Sequence, residues 1–362
     1  MMKHEEQQPS FFDLDPQTLS SWLKERREPT YRANQLMQWV YEHGATTYRQ
    51  MSNLPKALRD QLENHLPLYT SGIASQQHSS DGTIKMLLRW PDAATSECVM
   101  IPDDHRHTAC ISTQVGCPVG CVFCASGLDG LQRQLTIGQI VEQAMRVRQV
   151  CLEQGGQRLS NVVFMGLGEP LANYQATVAA LRIINAPWGM GIAARKITVS
   201  TVGLPTQMRR LADEGLQITL ALSLHAPTDD LRQEIIPWAQ RVGIQELIDA
   251  ARYYFDRTGR EITLEYILLA GVNDAASHAR ALVNICQRTR ANVNLIAYNP
   301  VDSLPYGRPK AESVHRFLDI LHNQGINAHV RRSRGLDIDA ACGQLRRRER
   351  STPIESTTPA VD

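Results

Sequence analysis

The stretch that decides the fold is "TACISTQVGCPVGCVFCA", residues 108–125. It begins with an apolar, partly β-branched run that is typical of a buried strand, and it continues into three closely spaced cysteines. Three residues separate Cys117 from Cys121, and two separate Cys121 from Cys124. We therefore predict a strand over 108–114 that ends in a cysteine-bearing loop.

Strand-like and helix-like segments alternate along the rest of the chain, which is typical of βα units that build a parallel sheet. Six such units are too few to close an eight-stranded barrel. The sequence therefore predicts an α/β fold, a partial (β/α)6 barrel, with functional residues at the carboxyl ends of its strands. The predicted strands are 108–114, 161–166, 196–201, 217–224, 261–269 and 293–298, and two intervening helices are 137–154 and 276–289.

Three further regions flank this core. Residues 1–68 predict a small helical accessory domain, with helices over 16–26, 32–44 and 55–65. Residues 69–105 predict a short antiparallel extension, with strands over 84–90 and 96–102. The core is expected to span 106–345, and the Ser, Thr and Pro content of 346–362 predicts a disordered tail.

Composition narrows the class of protein. The formal net charge is +1 and 43% of residues are hydrophobic, as in ordinary soluble globular proteins. No apolar run is long enough to span a membrane and the amino terminus lacks a signal peptide, so we expect a cytoplasmic protein with no membrane attachment. Cytosolic thiols stay reduced, which favours a cofactor at the cysteine cluster over disulfides.

Positive charge is concentrated near the carboxyl terminus, although the near-zero net charge excludes a protein that coats nucleic acid through bulk charge. Arginines outnumber acidic residues seven to three between 331 and 350, enough to neutralise several phosphates. A solvated basic tail is the alternative. The arginines are Arg331, Arg332, Arg334, Arg346, Arg347, Arg348 and Arg350.

Two metal groups compete for the three cysteines. Structural zinc requires four ligands, and no fourth cysteine or histidine follows at zinc-finger spacing. An iron-sulfur cube normally takes four cysteines, so three leave one iron open to another ligand. The C-x3-C-x2-C spacing after a first strand resembles the radical S-adenosylmethionine (SAM) superfamily, in which that open iron chelates the nucleotide. The resemblance implies a [4Fe-4S] cluster, and "GLGEP" at 166–170 is similar to the superfamily's nucleotide-binding segment.

Further motifs resemble the RlmN family of RNA adenine methyltransferases, with Cfr as its sister group. They are "MSNLPKALR" at 51–59, "ECVMIP" at 97–102, "CISTQVGC" at 110–117, "LSLHAP" at 222–227, "AYNP" at 297–300 and "RRSRGLDIDAACGQL" at 331–345. The resemblance runs from about residue 30 to residue 345. It implies methylation of carbon 2 of an adenine in the peptidyl transferase centre of 23S rRNA, and of an adenine beside the anticodon of some tRNAs.

The resemblance also assigns catalytic roles to three residues. One SAM methylates Cys342, and a second yields the radical that activates this methyl group for addition to the adenine ring. Glu97 accepts the ring proton, and Cys110 then resolves the covalent RNA adduct by forming a disulfide with Cys342. Thiolate attack suits this last step. A reductant such as flavodoxin must reopen the disulfide, and the expected enzyme is a monomer.

Nucleotide contacts are likewise implied by resemblance. The implied SAM-binding residues are Gly168, Glu169, Ser200, Ser223, Leu224, His225 and Asn299.

The sequence departs from many family members after the cluster, where Leu128 replaces a lysine and Leu131 replaces a phenylalanine. These changes remove one charge and one ring near the cysteines but leave all three cysteines in place.

Three alternatives remain open at this stage. The nearest is methylation at carbon 8 of the same adenine, as in Cfr, by the same cysteines. A second is a non-enzymatic RNA-binding protein with a structural metal, whose basic segment holds phosphates. A third is a radical enzyme that modifies a protein or a small molecule, which would have no use for a methylated Cys342.

Overall fold

The computed structural model of the protein describes residues 9–104, 106–155 and 158–346. Of the predicted disordered tail, residues 346–362, only Arg346 is described. Arg347, Arg348 and Arg350 therefore lie outside the described residues. Within the described ranges, no helix has the length and apolar character that crossing a membrane requires.

Strands and helices follow one another in the order that the sequence predicts. The strands are β1 Gly72–His78, β2 Ile84–Arg89, β3 Thr95–Asp103, β4 Arg106–Cys110, β5 Gln114–Gly116, β6 Leu131–Gln134, β7 Leu159–Phe164, β8 Ile197–Thr201, β9 Thr219–Ser223, β10 Ile262–Leu268, β11 Ala291–Ala297 and β12 Ala328–Val330. The α-helices are α1 Pro16–Glu25, α2 Arg32–Met37, α3 Lys56–His65, α4 Ile137–Glu153, α5 Tyr174–Asn185, α6 Pro205–Asp213, α7 Asp229–Ile235, α8 Ile244–Thr258, α9 Ala276–Thr289 and α10 Ala311–Asn323.

Ten strands form one open sheet in the order β1-β2-β3-β4-β7-β8-β9-β10-β11-β12. The pairs from β1 to β4 are antiparallel, and every pair from β4 to β12 is parallel. Helices connect the parallel strands, so the strands are buried on both faces and their carboxyl ends share one edge. The sequence missed two strands of this sheet, the edge strand β1 and the three-residue β12.

The predicted first strand is shorter than expected. It ends at Cys110, and the two-stranded sheet of β5 and β6 is separate from the main sheet. The amide of Ile111 still bonds to the carbonyl of Val163 at 3.0 Å, but the amides of Thr113 and Gln114 turn to the carbonyl of Leu167. The prediction of one strand over 108–114 was therefore wrong, because the chain leaves the ladder to begin the cysteine loop.

The helical region begins as predicted but contains one irregular turn. Asp15 caps α1 by accepting a hydrogen bond from the amide of Thr18 at 2.7 Å. The predicted helix over 32–44 is instead α2 followed by a π-helical turn at Gln38–Glu42, because the amide of His43 bonds five residues back to the carbonyl of Gln38. Hydrophobic spacing does not distinguish the two geometries.

An aromatic cluster packs the helical region against the core. Phe11 and Phe12 are fully buried and contact Tyr41, while Phe12 also contacts Tyr69. The carboxylate of Asp13 accepts a hydrogen bond from the amide of Gly138, at the start of α4. The first turn of the long core helix is thus capped by the helical region.

Candidate active site

A cavity of about 580 Å³ opens at the carboxyl edge of the parallel strands. Six successive parallel strands end at or beside it, from β4 to β11. It brings together most of the residues that the sequence singled out: Cys110, Cys117, Cys121, Cys124, Gly168, Glu169, Ser200, Ser223, His225, Asn299 and Cys342. Leu224 and Glu97 do not line it.

The three clustered cysteines lie in the cysteine loop, residues 117–130, which β5 and β6 close as a hairpin. Gly116 adopts a φ of +82°, and a Cβ there would lie 1.9 Å from the carbonyl oxygen of Gly130. Only glycine therefore lets the two ends of the loop approach so closely. Phe123, inside the loop, packs edge-on against His225 with ring centroids 5.1 Å apart.

The three thiols of this loop are buried, which disfavours their charged form. Burial raises the pKa of all three, to about 12 at Cys117, and repulsion between neighbouring thiolates adds to the shift at Cys121. Bound iron reverses this preference, because a coordinating thiol is deprotonated. Cysteine thiolates are the usual ligands of iron-sulfur clusters, so the donor set fits such a group. In the described part of the chain, no three Cys, His, Asp or Glu side chains converge on one ion position.

Glu169 lies beside the cysteine loop as a buried carboxyl group. It is 3% exposed and accepts hydrogen bonds from the amides of Leu171, at 2.9 Å, and Val202, at 2.7 Å. Burial raises its pKa to about 7, although the two amides oppose the shift. Gly168 precedes it with a φ of +104°, and a Cβ there would clash with the side chain of Gln114.

His225 presents a neutral imidazole to the cavity. Its Nδ1 accepts a hydrogen bond from the amide of Ile267 at 3.0 Å, which leaves the ring proton on Nε2. Burial lowers its pKa to about 3, and the positive charge of Arg232 lowers it further. Nearby, the hydroxyls of Ser200 and Ser223 lie 3.3 Å apart. Both serines end strands that the sequence predicted.

Cys110 and Cys342 line the same cavity although they are far apart in sequence. Cys110 ends β4 and is 7% exposed, and burial raises the pKa of its thiol to about 12. A thiolate at Cys342 would raise the pKa of Cys110 further. Cys342 belongs to the Cys342 loop, residues 331–346. Asn299 holds this loop by donating a hydrogen bond to the carbonyl of Cys342 at 3.1 Å.

Glu265 on β10 and Arg331 after β12 are among the charged residues of the cavity that were not predicted as site residues. The Nη1 of Arg331 lies 3.9 Å from the Oε2 of Glu265. Burial raises the pKa of Glu265, while a thiolate at Cys342 is the main cause that raises the pKa of Arg331. A glutamate within the apolar run "ITLEYILL" was the available signal for Glu265.

Glu97 lies outside the main cavity. It is 2% exposed and lines a separate pocket of about 120 Å³, where its Oε1 lies 3.3 Å from the Nζ of Lys85. The same Lys85 donates to the carbonyl of Asp339 in the Cys342 loop at 3.2 Å. Residues of the Cys342 loop line both pockets. Sequence resemblance did not predict this separation.

The two residues that depart from the family pattern are exposed on the cysteine loop and its return strand. Leu128 and Leu131 are each 41% exposed, and neither lines the cavity. The remaining cysteines, Cys98, Cys151 and Cys286, are buried.

Two segments of the chain match known protein families. Residues 111–282 match the Radical SAM superfamily, and residues 10–67 match the Ribosomal RNA large subunit methyltransferase N-terminal domain. The crystal structure of a radical SAM methyltransferase from Sphaerobacter thermophilus matches with a TM-score of 0.92 and 45% identity, over 94% of this chain and 100% of that one. Fold and site thus define a radical SAM methyltransferase, an enzyme that uses a [4Fe-4S] cluster and SAM.

Curated relatives narrow this class. Proteins named probable dual-specificity RNA methyltransferase RlmN, from Rhodopirellula baltica and Gloeobacter violaceus, are 45% and 46% identical to this chain. The matches cover 91% and 94% of this chain, and 88% and 96% of theirs. The chain belongs to the RlmN family of RNA methyltransferases. The predicted family, fold class, enzyme class and cofactors are confirmed, and the non-enzymatic alternative was wrong.

Proposed function

We propose that this chain methylates carbon 2 of adenine, in 23S rRNA and in some tRNAs, through a methylated Cys342 and a covalent RNA adduct that Cys110 resolves. The observation that carries the proposal is the common cavity of Cys110, Cys342 and the cysteine loop. The names of these relatives, which state dual specificity, support two RNA substrates. The expected setting is the cytoplasm, and the expected form is a monomer.

The chemistry explains why two cysteines are needed. Carbon 2 of adenine lies between two ring nitrogens and is electron-poor, so it cannot attack a sulfonium methyl group directly. When bound, the cluster and SAM supply a carbon radical that removes hydrogen from a methyl group. Cys342 holds that methyl group at the cavity wall, which Arg331 also lines. Two SAM molecules are consumed per turnover, one as methyl donor and one as radical source.

Cys110 is suited to resolve the adduct. Its thiolate attacks the sulfur of Cys342, so a disulfide forms as the bond from Cys342 to the methylene carbon breaks. That carbon takes up a proton to complete the new methyl group. Two electrons from an external reductant, of which flavodoxin is an example, then reopen the disulfide. Arg331 favours the Cys110 thiolate that begins this step, against the effect of burial.

Glu97 is proposed as the acceptor of the ring proton. Because it lies in the pocket beyond the Cys342 loop, this role requires the loop to shift after the adenine has bound. Until then the Glu97 carboxylate is paired with Lys85.

The remaining cavity residues are proposed to hold the cofactors. Cys117, Cys121 and Cys124 bind the cluster. Gly168, Glu169, Ser200, Ser223, His225 and Asn299 contact SAM, and Leu224 supports this set from the buried side, where its amide donates to the carbonyl of Glu265 at 3.1 Å. The single ring proton of His225, on Nε2, makes it a hydrogen-bond donor.

Replacing Cys342 tests the covalent route. Cys342→Ala should retain its iron and its visible absorbance after anaerobic reconstitution, yet yield no methyladenosine, because no thiol carries the methyl group. Cys110→Ala should instead accumulate RNA bound covalently to protein. Cys286→Ala removes a remote buried thiol and serves as the control, with activity near that of the wild type.

Mass spectrometry of the modified nucleoside completes the test. A 2-methyladenosine product is expected. An 8-methyladenosine product would assign the Cfr-type reaction, and undiminished product from Cys342→Ala would refute the covalent route altogether.

A further inference from the structure

Arg232, on α7, is a fully buried cation without a counter-ion among the described residues. It is 0% exposed, and no carboxylate of the described chain lies within ion-pair distance of it. Its Nε donates to the carbonyl of Leu224 at 3.2 Å, and its Nη2 donates to that of Val202 at 2.6 Å. Its Nη1 is buried and has no hydrogen-bond partner in the described part of the chain.

Such a side chain is costly to bury. The penalty for an unpaired ion in a protein interior is several kcal/mol, and carbonyl groups offset only part of it. A buried cation with an unused donor therefore indicates a negative group that binds nearby. Asp229 lies at the start of the same helix and is exposed. Its carboxylate raises the pKa of Arg232 but forms no ion pair with it.

The cysteine loop is the place for that negative group. The carbonyl of Ile235, at the end of α7, accepts a hydrogen bond from the amide of Val122 at 3.1 Å, directly after Cys121. The carbonyls that Arg232 bonds belong to Val202, which lines the same cavity as Cys121, and to Leu224, which precedes His225 of that cavity. Arg232 is thus joined by hydrogen bonds to the wall of the cavity, and its helix is joined to the cysteine loop.

We propose that Arg232 is a positioning residue that supplies the buried counter-charge of the iron-sulfur cluster and raises its reduction potential. The inference rests on the proposed ligation by Cys117, Cys121 and Cys124. A cube bound by three thiolates is negatively charged, and each added electron makes it more negative. A fixed cation in a low-dielectric site stabilises the reduced form more than the oxidised form, which makes reduction easier.

Glu169 acts in the opposite direction from the other side of the same residue. Its carboxylate accepts from the amide of Val202, whereas Arg232 donates to the carbonyl of Val202. When ionised, Glu169 places a negative charge in the cavity that Cys117 and Cys121 line. Arg232 offsets this effect, because it brings the opposite charge to the same loop.

Two substitutions separate charge from hydrogen bonding. Arg232→Gln keeps donors for the carbonyl groups but removes the charge, and Arg232→Lys keeps the charge. The reconstituted full-length enzymes are titrated with dithionite and redox mediators, and the reduced cluster is followed by electron paramagnetic resonance. The Gln variant should shift to a more negative midpoint potential, while the Lys variant should stay near the wild type. An unshifted Gln variant, or equal shifts in both, would overturn the proposal.

If a variant cannot be titrated, its iron and sulfide content is measured instead. If Arg232→Gln binds no iron and sulfide while Arg232→Lys does, the charge is required for assembly and the proposal stands. If both variants fold by circular dichroism but neither binds a cluster, the proposal fails. If neither folds, Asp229→Asn replaces them, because loss of that negative charge should move the potential to a more positive value, and no shift would overturn the proposal.

These measurements contain no RNA, so they are independent of the methylation test. A wild-type potential in Arg232→Gln together with normal methylation would remove this inference alone. An enzyme that never methylates adenine would leave the potential difference between the Gln and Lys variants unaffected.

Discussion

Glu169 carries a buried carboxyl group whose ionisation destabilises the cofactor-free fold. Its pKa rises from an ordinary value of 4.5 to about 7. The folded protein therefore holds this proton where the unfolded chain has lost it, so Glu169 should lower stability as pH rises from about 4.5 to 7, by at most about 3 kcal/mol. Glu169→Gln should flatten this part of the curve, as measured by urea unfolding of the cofactor-free protein between pH 5 and 7.5.

The difference between wild type and variant isolates this effect. His225 acts in the opposite sense, because its lowered pKa adds stability as pH rises from about 3 to 6.5. Both proteins contain His225, so its contribution cancels. Glu169→Gln also loses one acceptor for the amides of Leu171 and Val202, which lowers its stability at every pH. Parallel curves for the two proteins would contradict the prediction.

Residue spacing predicted the cysteine loop but not the charges around it. Cys117, Cys121 and Cys124 are close in sequence, so their spacing alone brings them together. The roles of Arg232 and Glu265 depend on their burial and on neighbours that are distant along the chain. A local sequence pattern predicts neither of these. The separation of Glu97 from the cavity likewise depends on how the Cys342 loop folds over β3.

At the scale of elements, the β1–β2 turn holds the Cys342 loop in place. Asp337 accepts hydrogen bonds from the hydroxyl of Ser79 at 2.5 Å and from the amide of Ser80 at 3.0 Å. Asp81 accepts one from the amide of Gly335 at 3.0 Å. The turn and the loop are separated by about 250 residues in sequence, so these bonds fix the position of Cys342 from outside its own segment.

Asp337→Asn should loosen this loop without unfolding the protein. Asn keeps an acceptor oxygen but loses the charge that strengthens both hydrogen bonds, so amides of 335–345 should exchange faster than in the wild type. Hydrogen exchange followed by mass spectrometry measures this change. Asp230→Asn, at an exposed position on α7, is the matched control and should leave the loop unchanged. Equal exchange in both variants would show that the turn does not hold the loop.

Elements with a strong hydrophobic period were predicted well, and edge elements were not. The helices α4 and α9 agree with prediction to within a residue at each end, because each carries buried apolar residues along its whole length. The edge strand β1 is mostly exposed, so it lacks the alternation that identifies a strand. The strand β12 has only three residues, too few for any period.

At the scale of the whole molecule, the helical region and the core share a polar junction as well as an aromatic one. The division into residues 1–68, 69–105, 106–345 and a tail stays a prediction. Residues on both sides of the first boundary nevertheless form hydrogen bonds with α4. Asp13 of the helical region bonds to Gly138, and residues 70 and 71 of the extension bond to Glu142. Such contacts join parts distant in sequence, which is why sequence patterns did not predict them.

Glu142 is the centre of that polar junction. It is 0% exposed and accepts four hydrogen bonds, from the amides and hydroxyls of Thr70 and Ser71, with Arg146 at 3.6 Å. Glu142→Gln replaces an acceptor with a donor opposite the amides and hydroxyls of residues 70 and 71, while Arg146 keeps its hydrogen bond to the carbonyl of Ser71. The substitution should therefore cost about 1–3 kcal/mol. Urea unfolding followed by circular dichroism measures this loss. Glu153→Gln, at the exposed end of α4, is the matched control and should change stability by no more than about 0.5 kcal/mol. A loss at Glu142 as small as that of the control would mean that these hydrogen bonds contribute little to holding residues 70 and 71 against the core.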